Sequence, residues 1–201
     1  NPSGASGPSP GHTGVDFKAI GSTLYFQAND GTNGTELWKS DGTANGTVMV
    51  KDIHPSITSN TGPINFAVMN NTLYFSADDD VVGRALWKSD GTANGTMMVK
   101  EYDMSPYWIV NANGTLFFSG SSNSDVELWK SDGTQAGTVE VKDIYSGGDS
   151  HPKYLTAIGS MVYFQANDGT NGMEMWRSDG TSSGTVMVKD INPGSDFGFN
   201  C

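Results

Sequence analysis

The chain has 201 residues, a net charge of -11 and 11 basic residues that fall singly along it. This length suits one domain or one short repeat array, and without a basic patch neither nucleic acid nor an anionic membrane is an expected partner. Apolar residues make up 36% while glycine reaches 26 residues, a balance that means many turns, short strands and a thin core; no apolar run approaches the roughly 18 residues of a bilayer span, so membrane insertion is not expected.

Residues 1–14 are a Pro/Gly/Ser-rich N-terminal segment, and Asn1 in the place of Met is expected of a processed chain or a piece of a longer one. Residues 15–201 read as a single repeat domain. Its first unit, about 15–53, offers four short apolar segments: Phe17–Ile20, Leu24–Phe26, a stretch around Trp38, and Val48–Val50. The second unit, 63–102, repeats them at Phe66–Met69, Leu73–Phe75, Trp87 and Met97–Val99. The third, 106–144, has Tyr107–Val110, Leu116–Phe118, Trp129 and Val139–Val141, and the fourth, 153–191, has Leu155–Ile158, Val162–Phe164, Trp176 and Val186–Val188. Segments rich in aromatic and β-branched residues and bounded by Gly, Asn, Asp and Ser predict strands. Short connections predict an antiparallel meander in each unit, and no stretch keeps a helical period.

In the second segment Leu24 and Phe26 take one face and Tyr25 the other, so both faces of each sheet are expected to be covered by neighbouring units. In the fourth, Glu140 stands where the other units have Met49, Met98 and Met187; that position is expected to face out, with Val48 and Val50 facing in. Trp108 lies outside the repeat pattern, as core or as a unique contact. The tail 192–201 is similar to the start of another first strand, free to pack locally or to be donated to a neighbouring subunit. Cys201 is the one cysteine, which rules out an internal disulfide and leaves a free thiol or an intermolecular link.

The recurring motif is Glu36-Leu-Trp-Lys-Ser-Asp-Gly-Thr43, which returns with small changes at 85–92, 127–134 and 174–181. Asp-Gly is a preferred turn pair, because glycine takes positive φ without steric cost. The carboxylates of Asp41, Asp90, Asp132 and Asp179 can accept backbone N–H bonds inside the turn, as can the neighbouring hydroxyls. Gly46 is read as allowing a second reversal. This hairpin resembles the Asp-box of propeller proteins, with Trp placed before the Ser-Asp-Gly. It resembles more closely the Glu-Leu-Trp-x-x-Asp-Gly-Thr-x-x-Gly-Thr repeat of large secreted and surface proteins, the hyalin-like repeats, over nearly the whole chain and in all four units. The second unit departs from it at Ala85 and at Lys100-Glu-Tyr102. The resemblance implies a propeller-like fold and a surface or adhesion setting, with no assigned chemistry.

The loops before the tryptophans carry oxygen-rich side chains: Asp30, Asn33 and Glu36 in the first unit, Asp168, Asn171 and Glu174 in the fourth, and the run Asp78, Asp79, Asp80 in the second. Such loops are able to hold Ca²⁺, although their spacing is not that of an EF-hand; solvated hairpin ends are the competing reading. Five Asn-x-Thr sequons, at Asn33, Asn45, Asn70, Asn94 and Asn113, fall on expected turns, where a glycan is accommodated. His12, His54 and His151 sit in Gly/Pro/Ser-rich joints, and neither a triad nor a zinc ligand pattern recurs, so no enzyme is expected.

These readings converge on an all-β chain, a four-bladed β-propeller of four-stranded meanders, or alternatively part of a larger propeller or an open repeat array. The expected role is a non-enzymatic extracellular or cell-surface structural or adhesive protein, such as a subunit of a surface filament or matrix assembly, with itself as partner. The alternative is a carbohydrate-binding, lectin-like propeller whose partners are extracellular glycans. No cofactor other than the calcium above is expected.

Overall fold

The computed structural model describes residues 16–55, 62–122 and 125–194. The described residues are all-β, with no helix among them, and form four separate four-stranded antiparallel sheets, each a meander in chain order. The first is β1 (Lys18–Ile20), β2 (Thr23–Asn29), β3 (Thr35–Ser40) and β4 (Val48–Lys51); the second is β5 (Ile64–Met69), β6 (Thr72–Asp78), β7 (Arg84–Ser89) and β8 (Met97–Met98). The third is β9 (Tyr107–Ala112), β10 (Thr115–Ser122), β11 (Asp125–Ser131) and β12 (Val139–Lys142); the fourth is β13 (Lys153–Ile158), β14 (Met161–Asn167), β15 (Met173–Ser178) and β16 (Val186–Lys189). These are the four blades expected from the repeat. The array divides into two compact units, 1–103 and 104–201, with two blades in each.

Each blade has two chemically distinct faces, because side chains alternate along a strand. The front face carries Leu24, Phe26 and Trp38, with Phe26 directly opposite Trp38 in the β2–β3 register. The back face carries Tyr25, Leu37, Val50 and Ile53. In the first unit the back face of blade one packs with Phe66, Leu73, Phe75, Ala77 and Trp87 from the front face of blade two. In the second unit the same joint forms from Phe117, Leu128, Val141 and Ile144 of blade three and Leu155, Val162, Phe164, Ala166 and Trp176 of blade four. Burying each large side chain contributes about 2 kcal/mol, too little for one meander to outweigh its chain entropy, so the joint is the unit of stability.

Three details differ from the sequence reading. Two-sided burial of the second strand holds for β6 and β10, whereas β2 buries Tyr25 and Gln27 alone and β14 buries Val162, Phe164 and Ala166 alone. The fourth strand follows the reading in part: Val50, Val99 and Val141 are buried, but Val48, Met97 and Val139 are exposed, while Met98 and Met187 pack partly against the cores. The cause is a register shift between Leu37 and Trp38, repeated in blades three and four, which puts one extra residue into the edge strand and breaks the simple alternation. Finally, Ala112 pairs with Thr115 as Ile20 pairs with Thr23, so the counterpart of Phe17–Ile20 in blade three is Ile109–Ala112, two residues later than Tyr107–Val110.

Candidate functional site

The repeated Asp-Gly hairpin is closed by its own side chains. In blade one Asp41 Oδ1 accepts from Thr43 N at 2.9 Å and Thr43 Oγ1 at 2.7 Å, and Ser40 Oγ accepts from Gly42 N at 3.0 Å. Thr43 Oγ1 then accepts from Gly46 N at 2.9 Å. Asp90, Asp132 and Asp179 repeat this pattern with Thr92, Thr134 and Thr181. Gly42, at φ 91°, needs the conformational freedom of glycine. Gly46 lies in the second turn before β4, where Thr47 N donates to Ala44 O at 3.3 Å, and a Cβ there would also collide with the Asp41 carboxylate, as it would at Gly95, Gly137 and Gly184 against Asp90, Asp132 and Asp179. Hydrogen bonding from the threonine holds the carboxyls of Asp41, Asp90 and Asp179 below the usual carboxylate range.

The motif glutamate belongs to a strand and not to the loop before it. Glu36 and Glu174 lie on β3 and β15 with their side chains buried. Glu36 clasps the chain after β4, its two oxygens accepting from Ile53 N at 2.8 Å and His54 N at 3.0 Å. Glu174 holds Ile191 N and Asn192 N at 3.1 and 3.4 Å. Glu127 accepts from Ile144 N, Tyr145 N and Ser150 N, and from Ser150 Oγ at 2.6 Å. Ala85 replaces it in blade two, and there β8 is only two residues long. Burial, opposed by the two amide hydrogen bonds, pushes the Glu36 carboxyl from 4.5 up to about 7; Glu127 is raised for the same reason.

A carboxyl that holds its proton more tightly when folded stabilises the fold most at low pH, and that contribution declines as pH rises from its unfolded value through its folded one. The turn aspartates act oppositely, losing stabilisation as pH falls below the carboxylate range. Thermal stability is therefore expected to peak near pH 4.5–5 and to decline towards pH 7.5 in the wild type. The Glu36 share of the decline is up to about 3 kcal/mol at about 1.4 kcal/mol per pKa unit. Melting curves of Glu36→Gln against pH should be flatter over that window; parallel profiles for the two proteins would contradict the raised carboxyl.

The loops singled out for calcium are tied up locally. Asp30 accepts from Thr32 N and Asn33 N at 2.8 Å each and from Asn33 Nδ2 at 2.7 Å, and Asp168 repeats this with Thr170 and Asn171. Hydrogen bonds from Asn33 and Thr32 lower the Asp30 carboxyl; for Asp168 burial works upward, but the bonds from Asn171 and Thr170 outweigh it. Asp78 accepts from Asp80 N, and Asp79 from Val81 N and Val82 N. Among the described residues no three His, Cys, Asp or Glu side chains converge as a metal-binding group. Of the sequons, Asn45, Asn70, Asn94 and Asn113 are exposed, whereas Asn33 has its side-chain amide bound to Asp30. Cys201, His12 and the segment 1–14 lie outside the described residues.

The second unit holds a pocket of about 380 Å³ lined by Tyr107, Trp108, Ser119, Ser121, His151 and Lys153 among others. Trp108 meets Tyr154 with ring centroids 4.8 Å apart and the ring planes tilted by 55°. Both residues occupy a bulge at the start of their blade with φ of 58° and 56°, the place that Asn65 takes in blade two at φ 59°. Asparagine tolerates this conformation, but for bulky aromatic residues it is uncommon. His151 Nε2 lies 3.7 Å from Asp149. No sequence signal beyond the isolated position of Trp108 announces this pocket, since a bulge cannot be read from alternation.

No family model matches the chain, and no curated protein matches it. Solved structures do resemble it. Puromycin hydrolase is similar with a TM-score of 0.62 at 15% identity, over 91% of this chain and 30% of that one. The putative TolB from Agrobacterium tumefaciens gives 0.55 at 12%, over 89% and 65%, and the acylaminoacyl peptidase of Pyrococcus horikoshii 0.59 at 11%, over 89% and 27%. The similarity is to β-propeller proteins, and it establishes the fold class alone: an all-β, propeller-type repeat. The chain spans about a third or less of the length of the peptidases it resembles.

Proposed function

We propose that this chain is a non-enzymatic structural or adhesive repeat module of the extracellular or cell-surface kind, in keeping with its resemblance to the hyalin-like repeats. The observation that carries this reading is the use made of the motif. In every blade the Asp, Ser, Thr and Gly of the hairpin are spent on one another, and the Trp of blades two and four is buried in a joint. A residue pattern kept for architecture fits a building unit better than a reactive centre. The part of the peptidase neighbours that the chain resembles is a minor one, which gives no ground for their chemistry here.

A carbohydrate-binding role is the second reading, favoured by the pocket of the second unit. Tyr107 and Trp108 offer aromatic faces beside Ser119, Ser121, His151 and Lys153, a combination that suits a sugar ring with its apolar face and hydroxyl rim. Light scattering with negative-stain imaging, run beside a glycan array, separates the two. Extended assemblies without sugar affinity are expected. A small monomer that binds particular glycans, and loses them in Trp108→Ala, would overturn the structural reading in favour of the second.

A further inference from the structure

The pocket of the second unit lies between blade three and the entry to blade four, and it differs from the same place in the first unit in volume and in backbone strain. Ser119 and Ser121 stand on β10 where β2 has Gln27 and Asn29 and β14 has Gln165 and Asn167. Gln27 is buried in blade one, whereas the two serines border a space of about 380 Å³, within the range of small-ligand sites. Apart from asparagines and one aspartate, the described non-glycine residues at positive φ are Ser105 at 40°, Trp108 at 58°, His151 at 46° and Tyr154 at 56°. The first three line this pocket, and the fourth is the ring partner of Trp108. Such conformations persist only where the surroundings hold them, and they gather at ligand sites.

The charges differ as well. In the first unit the amides of the blade-two bulge, Asn65 N and Phe66 N, donate to Asp16 Oδ2 of blade one at 2.9 and 3.4 Å. The strand registers put Trp108 where Asp16 stands, and Tyr154 where Asn65 stands, at φ 56° against 59°. An indole has a donor and no acceptor, so Trp108 cannot do for Tyr154 N and Leu155 N what the Asp16 carboxylate does. Lysines of the joints are otherwise spent on carbonyls: Lys39 and Lys130 donate to Gly91 O and Gly180 O, Lys51 and Lys142 to Thr96 O and Thr185 O. Lys153, which lines the pocket, is exposed and has no ion pair among the described residues. No Asp or Glu lines the pocket. Asp149 is taken up beside it, accepting from Val126 N at 2.7 Å and lying 3.7 Å from His151 Nε2.

We propose that this pocket receives an acidic side chain from an extended segment of a partner polypeptide, its carboxylate taking beside Tyr154 N and Leu155 N the place that Asp16 Oδ2 fills in the first unit. This rests on the adhesive reading and names the chemistry of the contact. Lys153 supplies the opposite charge, and hydrogen bonds to an ionised acceptor are about twice as strong as neutral ones. Tyr107 and Trp108 cover the residue beside the acid, while Ser119 and Ser121 leave it room. A peptide is favoured over an acidic sugar because the group that makes this contact in the first unit is an aspartate on a strand. The net charge of -11 repels an acidic partner at long range, so the preference has to come from these short contacts, and a matched pair of peptides reads it.

The test is an NMR titration of the full chain with capped Gly-Asp-Phe-Gly, with its neutral counterpart Gly-Asn-Phe-Gly, and with methyl glucuronide. The aspartyl peptide is expected to move the amide protons of Tyr154 and Leu155 downfield and to bind about ten-fold more tightly than the asparaginyl one. Lys153→Gln should bring that preference down to about three-fold. Ser119→Gln, which gives blade three the side chain that blades one and four carry there, should abolish binding while the unchanged spectrum of the other blades reports the fold. Equal binding of the two peptides, a preference untouched in Lys153→Gln, or no shift at millimolar aspartyl peptide would each overturn the proposal and leave the module reading in place. Glucuronide moving the same two amides at lower concentration than the peptide would overturn it in favour of the carbohydrate reading.

Discussion

Glu127→Ala is expected to cost about 3 kcal/mol of stability in urea denaturation, because each buried donor left without a partner costs about 1–3 kcal/mol. Three backbone amides and the Ser150 hydroxyl converge on this one carboxylate, and the residue is 1% exposed. The removal is not all loss. The burial that raises its carboxyl is itself unfavourable, and alanine relieves it, which keeps the net figure well below the sum of the broken bonds. Blade two shows how the chain manages without the clasp. With Ala85 in the glutamate position, β8 ends at Met98 and Tyr102 N turns back to Lys100 O at 2.9 Å. Blade three has no such rearrangement available, because Ser150 N and His151 N are also held by Val126 O. Glu127→Gln, which keeps one acceptor, should recover part of the loss; a loss under about 1 kcal/mol for alanine would show the clasp to be incidental.

Phe75→Ala is expected to cost about 3–5 kcal/mol, the range for an aromatic side chain truncated in a closed core. Phe75 is fully buried, meets Phe66 edge-on at 5.9 Å and faces Trp87 across the strand pair. The equivalent change at the open front face, Phe26→Ala, should cost less than half as much, about 1–2 kcal/mol, since Phe26 is only half-buried and yields less transfer free energy. Urea midpoints of the two variants measured at low protein concentration check this. Equal losses would mean that the first blade is covered as fully as the second, against the exposure of Leu24.

The blades and their strand order were legible because the repeat prints each strand several times, so that a weak pattern in one unit is corrected by the others. What each side chain does was less so. Val48 and Met49 exchange roles because of the extra residue in β4 opposite Leu37 and Trp38, and a shift of that kind leaves no mark in the alternation of apolar and polar residues. Glu36 reads as part of an oxygen-rich loop because its neighbours on one side are Asn, Asp and Gly; its true partners, Ile53 and His54, lie a full strand and turn away. Lys39 and Lys51 pass as solvated charges in a sequence, since their carbonyl acceptors belong to the next blade. The turn aspartates were readable because every partner they use lies within five residues.

The joints also have a direction, back to front, and each blade brings one half of each kind. Exchanging blade one with blade three, or blade two with blade four, would bring together the same pair of surfaces within each unit, because both joints are made from one kind of back and one kind of front. A sequence built on this repeat is thereby free to trade whole blades between its units by recombination.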